Sequence, residues 1–246
     1  MSAGAGLSAH GRYAWLDLAR GIALIAMAIY HFVWDLSLFG LVSPQTPFEP
    51  HWRYLARATA GSFLFLAGIS LTIAHANGIR WRPYSRRLAM ILGAAGLITA
   101  LTLYATPEQF IFFGILHMIA AGSVAGLALV RLPWWIAIGI AIAVLWIGLF
   151  YENAMFDHPF LWWTGLGTAS IPSSDLVPFF PSFAAIAAGI AVAKLANLEG
   201  GSTSSVDTST VSRALRWAGR HSLFVYLVHQ PILIGLIFAF VRIARI

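Results

Sequence analysis

Cysteine is absent from this 246-residue chain. Disulfides, thiolate nucleophiles and cysteine-ligated metals are therefore excluded, and nothing marks the redox compartment. Charge is scarce as well. Asp, Glu, Lys and Arg make up 10% of residues, where a soluble domain carries about a quarter. That shortage excludes an ordinary water-soluble globule. A mean hydropathy of +0.80 shows what stands in its place: apolar runs near the ~20 residues that cross a bilayer's hydrocarbon. A formal charge of +6 lacks the clustered patch that nucleic acid needs, so no nucleic-acid partner is expected. No internal repeat is strong enough to argue an inverted-repeat transporter. The expected class is an all-α polytopic membrane bundle, one domain over residues 1–246.

Seven spans are expected, over 14–38, 54–76, 88–104, 110–130, 133–150, 176–197 and 217–241. The first is not read as a cleaved signal, because its run is too long, it carries Asp17 and Arg20, and no small-residue cleavage site follows. The loop after the second span holds Arg80, Arg82, Arg86 and Arg87. The loop after the sixth holds Arg213, Arg216 and Arg220. The loops after the third and fifth contain no Lys or Arg and carry Glu108, Glu152, Asp157 and Asp175. This alternation places the N-terminus in the cytoplasm and the C-terminus outside. Arg242 and Arg245 depart from the pattern, which leaves an extra or missing half-span open. "GGSTSSVDTST" (200–210) reads as part of a flexible cytoplasmic linker over 199–212. The segment 158–181 has aromatic weight without span length, and Pro172, Pro178 and Pro181 break it. It is expected to be broken or re-entrant, packed on protein or a water-filled cavity.

The first span, "RGIALIAMAIYHFVWDL" from Arg20 to Leu36, carries polar residues in an apolar run. A helix turns about 100° per residue. Arg20 and His31 then lie about 20° apart after three turns, with Asp35 one turn beyond. Asp17 stands five whole turns before Asp35. All four residues share an arc of about 60° with Leu24. Such a stripe cannot face lipid, where a charge costs at least ~2.5–3.5 kcal/mol. It must face the bundle interior or a cavity. Asp17 and Arg20 also suit an i,i+3 ion pair at the cytoplasmic end. An Asp one turn from a His can hold its ring and favour its protonated form, the support a general base needs. His31 equally suits a buried neutral histidine bonded to a neighbouring helix.

Further histidines stand at His117 and His229 on later spans, at His75 near the cytoplasmic end of the second, and at His51 in the first external loop. Their number admits a catalytic chamber, a proton relay or paired haem ligands. His31 and His229 could pair at matched depth, but nothing else supports haem, and no metal is expected.

"YAWLDLARGIALIAMAIYHF" resembles the first span of the acyltransferase family 3 membrane proteins, whose signature is Arg, ten residues, then His. Arg20 and His31 have that spacing. "FFGILHMIAAG", "SSDLVPFFPSFAAIAAGI" and "AGRHSLFVYLVHQPIL" resemble the small bacterial relatives of heparan-alpha-glucosaminide N-acetyltransferase. The resemblance covers most of the chain. It implies a bacterial cytoplasmic (inner) membrane enzyme that moves an acetyl or other short acyl group from cytoplasmic acyl-CoA to a sugar hydroxyl or amine. It assigns Arg20 to the CoA end and His31 to the chemistry. In the heparan branch the histidine proposed for catalysis lies in the first non-cytoplasmic loop, where His51 is the candidate. Members of both families usually have more spans than seven, so part of the fold would be absent or supplied by a homo-oligomer.

The expected mechanism has His31 as general base on a saccharide-type acceptor, with Asp35 orienting it and His51 as the other candidate. Arg20, Asp17, Arg80, Arg82, Arg86 and Arg87 form the acetyl-CoA or acyl-CoA end, where cations meet phosphates. His117, Asp175, Tyr226 and His229 line the chamber. The stripe admits two other functions: a proton-coupled transporter using Asp17, His31 and Asp35 as a relay, or a structural partner in an envelope complex.

Overall fold

The structure, a computed structural model, describes residues 13–198 and 209–244. Eight α-helices run in order: α1 (Ala14–Leu38), α2 (Pro50–Ala74), α3 (Trp81–Ala105), α4 (Ile115–Val130), α5 (Trp134–Phe150), α6 (Phe179–Leu195), α7 (Thr210–Arg220) and α8 (Ser222–Ala244). Among the described residues there is no strand. By length and composition α1, α2, α3 and α8 can cross a membrane, whereas α4, α5 and α6 are apolar but shorter. Each expected span has a helix at its place.

Helix α6 is the hub. It packs against α2, α4 and α5, and Ala187, Ile190 and Ala193 on it are fully covered. Within a bilayer the hydrophobic effect does not drive helices together, so close packing through small residues must. The α2–α6 crossing shows this reciprocally. A Cβ on Gly68 would strike the Ile186 carbonyl, and one on Gly189 would strike the Phe65 carbonyl. The same device joins α1 to α7, where Gly21 lies against the Leu215 carbonyl and Gly219 against the Asp17 carbonyl.

Four expectations change. Helix α2 begins at Pro50, a residue pre-set for a helix's first turn, so His51 belongs to that helix and not to a loop. Helix α3 begins at Trp81. Arg82, Arg86 and Arg87 are therefore helical, since Pro83 in the first turn leaves no bond unmade. Helix α4 starts five residues late, at Ile115. Residues 209–212, expected in the linker, belong to α7 and its cap: the Ser209 hydroxyl accepts the Ser212 N–H at 3.2 Å. The rest of that linker, 199–208, lies outside the described residues.

The segment between α5 and α6 is broken, as expected. It forms two 3₁₀ turns, Ala154–Asp157 and Pro159–Thr164, and then runs without regular structure to Phe179. Asp157 ties it together. Its Oδ1 accepts the N–H groups of Thr168 (2.6 Å) and Ala169 (2.9 Å), and its Oδ2 accepts the Thr168 hydroxyl (2.7 Å). The bonds from Ala169 and Thr168 hold its carboxyl below the usual aspartate range.

Candidate functional site

The polar stripe of α1 faces protein. Asp17, Leu24, Met27 and Asp35 are buried, while Ile22, Ile25, Ile29 and Phe32 on the other side are exposed. Each polar member meets a different neighbour, so the stripe divides into two regions.

At the N-terminal end, Arg20 Nη1 donates to Asp17 Oδ1 at 3.2 Å. This is the i,i+3 pair that the spacing suits. Arg20 Nη2 donates to the Ser70 hydroxyl of α2, and Arg220 of α7 stands 3.8 Å from Asp17 Oδ2. Arg87 of α3 lies within Coulombic reach of Arg20. Beside them, a cavity of about 120 Å³ opens between α2, α3 and α4, lined by His75, Arg80, Tyr84, Arg87 and Ser123 among others. His75 Nδ1 donates to the Leu71 carbonyl at 2.8 Å and its ring meets the edge of Tyr84. Of the four arginines between 80 and 87 expected at the CoA end, this cavity brings together Arg80 and Arg87. Arg82 and Arg86 do not line it and are exposed.

Further along α1, His31 and His229 of α8 touch edge to face, with ring centroids 4.9 Å apart. That direct contact leaves no room for a haem between them. His229 Nδ1 lies 2.5 Å from the Tyr226 carbonyl oxygen. A carbonyl only accepts, so Nδ1 carries the proton. The expected His31–Asp35 bond is not made. Asp35 is fully buried, and its Oδ1 accepts from Gln230 Nε2 at 2.6 Å. Helical spacing puts Asp35 one turn from His31, but the amide from α8 captures the carboxylate first. Among the described residues His31 has no hydrogen bond. Asp35 Oδ2, Gln230 Oε1 and His229 Nε2 are buried without a partner.

A narrow slit between α3, the start of α4 and α8 gathers His117, Asp175 and Tyr226, three of the four expected chamber residues. Asp175 Oδ2 accepts the Ile115 N–H at 3.3 Å, capping α4 with a carboxylate where a helix N-terminus favours one. His117 Nδ1 accepts the Gly114 N–H (3.3 Å), and its Nε2 lies 3.3 Å from the Thr99 hydroxyl. Asp175 and His117 thus both shape the start of α4. His51 stands apart from these groups. Its side chain is 63% exposed and pairs loosely with Glu49 at 3.7 Å. Among the described residues no three His, Asp or Glu side chains gather as a metal site would need.

Sequence reasoning missed Ser70 and Gln230. Ser70 sits in an apolar run with no local signal. Gln230 follows His229 directly, and an amide at that depth was itself a signal, since a buried amide must find partners.

A model of the family described as "heparan-alpha-glucosaminide N-acetyltransferase, catalytic" matches residues 12–231. The match takes in the whole α1 stripe and ends just past His229 and Gln230. It bears on the heparan branch alone; the Arg-x10-His spacing of acyltransferase family 3 rests on Arg20 and His31 only. No curated protein and no solved structure matches the chain.

Proposed function

The chain belongs to the heparan-alpha-glucosaminide N-acetyltransferase catalytic family, and on that premise we propose an enzyme that moves an acetyl or other short acyl group from acyl-CoA to a saccharide-type hydroxyl or amine. The observation that carries the reading is the family match itself, because it spans both polar regions of α1 and the α8 residues facing them. It gives the transport reading no support.

The two regions suit the two ends of such a reaction. Arg20, Arg80 and Arg87 are cations at one end of the bundle, the requirement for phosphate groups. The 120 Å³ cavity is small beside ordinary ligand pockets of ~300–1,000 Å³, so a CoA would seat a phosphate there and lay the rest between helices. His31 lies about 16 Å along the axis from Arg20, within reach of an extended pantetheine arm. The chemistry then falls at the His31–His229 contact. The acceptor enters from the side of Tyr226, Asp175 and His117. The proposed setting is the inner membrane of a bacterium, with the Arg20 end cytoplasmic.

Purified protein tests this directly. Acetyl-CoA should bind, and free CoA should be released when glucosamine is added as a probe acceptor. The Arg87→Ala variant should weaken acetyl-CoA binding while leaving melting temperature within a few degrees. A wild-type protein that binds no acetyl-CoA refutes the reading.

A further inference from the structure

The α1–α8 seam holds three buried polar atoms without partners: His229 Nε2, Asp35 Oδ2 and Gln230 Oε1. Buried polar groups are almost always satisfied, so an orphan asks for a ligand or a water. Here all three have the same character. Gln230 Oε1 only accepts, and so does an ionised Asp35 Oδ2. His229 Nε2 is an acceptor because Nδ1 holds its proton against the Tyr226 carbonyl. Unpartnered buried atoms that are all acceptors fit a group rich in donors, an amine or a set of hydroxyls.

The two histidines are not equivalent in this respect. A general base needs one ring nitrogen anchored as a donor and the other left free to accept. His229 has both features, the anchor at 2.5 Å and the unpartnered Nε2. His31 has no anchoring bond among the described residues; its ring instead abuts that of His229.

Resting on the acyltransferase reading above, we infer that His229 is the base of the reaction, that His31 buttresses its ring, and that the Asp35–Gln230 pair receives donor hydrogens of the acceptor beside the reacting group. The step balances simply. The acceptor's amine nitrogen or hydroxyl oxygen attacks the thioester carbonyl as its proton passes to His229 Nε2. The tetrahedral intermediate then expels the CoA thiolate. That thiolate recovers the proton from Nε2 and leaves as free thiol, so the ring ends neutral.

The test compares His229→Asn with His31→Asn in purified protein, with acetyl-CoA and glucosamine as probes. Asn at 229 keeps an N–H for the Tyr226 carbonyl but has no Nε2. We expect turnover per folded molecule to fall about 10²–10⁴-fold in His229→Asn and less than tenfold in His31→Asn, with acetyl-CoA affinity and melting temperature near wild type in both. Gln230→Ala should raise the KM for glucosamine more than it lowers kcat. A second readout needs no turnover. In ¹⁵N-histidine spectra, one neutral ring protonated at Nδ1 should vanish in His229→Asn. Turnover within tenfold of wild type in His229→Asn, an equal loss in His31→Asn, or a His229 ring protonated at Nε2 overturns the assignment. A wild-type protein that fails to consume acetyl-CoA overturns the enzyme reading beneath it instead.

Discussion

Replacing Gln230 with Leu removes the only hydrogen bond that the Asp35 side chain makes among the described residues. That bond is short, 2.6 Å, and the side chain it serves is fully buried. A hydrogen bond to a charged group contributes about 1.5–3 kcal/mol, and an orphaned buried carboxylate costs at least as much as the bond was worth. The single variant should therefore lose on the order of 2–3 kcal/mol. At about 2–4 °C per kcal/mol for a chain of this size, its melting temperature falls by roughly 4–12 °C. Asp35→Leu removes the other partner and leaves the amide orphaned, a smaller loss because the amide is neutral. The double variant carries no unsatisfied pair and should recover most of the stability, since replacing both partners by apolar groups is nearly neutral. Thermal unfolding in detergent, followed by the fluorescence of the ten tryptophans, reads all three. Losses that simply add in the double variant, or Gln230→Leu melting with the wild type, would refute the pairing.

Arg20→Ala should weaken acetyl-CoA binding about 10- to 100-fold, the worth of one charge-assisted phosphate contact, with Arg20→Lys recovering part of it; unchanged affinity in a binding titration would leave Arg20 as a partner of Asp17 and Ser70 only. Gly189→Val should abolish the folded protein, because a side chain there meets the Phe65 backbone and not a movable group; normal yield in size-exclusion chromatography would contradict the α2–α6 crossing. The hydrogen bonds of Asp157 favour its charged form, so its contribution to the 154–169 segment is complete above the ordinary aspartate range near 3.9. The contribution is lost only as pH falls through the depressed value. A ¹³C titration of its carboxyl group should give a midpoint below that range, and Asp157→Asn should speed amide exchange at Thr168 and Ala169. Single cysteines at Asn77 and Glu152, both exposed, should label oppositely with an impermeant reagent in intact cells, with Glu152→Cys reactive and Asn77→Cys protected.

Much of the fold was legible because bilayer-length apolar runs leave the backbone little choice but helix. The errors fall where polar residues sit on helix ends. "WRPYSRR" reads as a basic loop, yet it forms the first turns of α3, whose Arg82 and Arg86 carry their charge into the open. The end of "GGSTSSVDTST" reads as linker by composition. Its Ser209, however, is a helix cap, and Arg213, Arg216 and Arg220 recur at helical spacing, so α7 is an amphipathic helix whose Gly219 lies close against the α1 backbone. Composition alone does not separate a serine that caps from one that links.

For the site the same limit has a sharper form. The 3.6-residue period tells which side of α1 faces inward, and that much was correct for Asp17, Arg20, His31 and Asp35. Period is a property of one helix, however, and apart from the Asp17–Arg20 pair every contact that gives those residues a role comes from another: Ser70 from α2, Arg220 from α7, His229 and Gln230 from α8. Two residues one turn apart look like partners when only one helix is known. A second helix arriving with an amide at the right height takes the carboxylate away. The consequence reaches the chemistry. Helix α8 is thinly packed, with Ile237 its one buried residue, yet it supplies both the anchored histidine and the amide that holds Asp35. Docking of α8 against α1 therefore assembles the proposed site. Substitutions that loosen the α1–α8 seam, even far from His229, should lower activity before they lower the stability of the α2–α6 core.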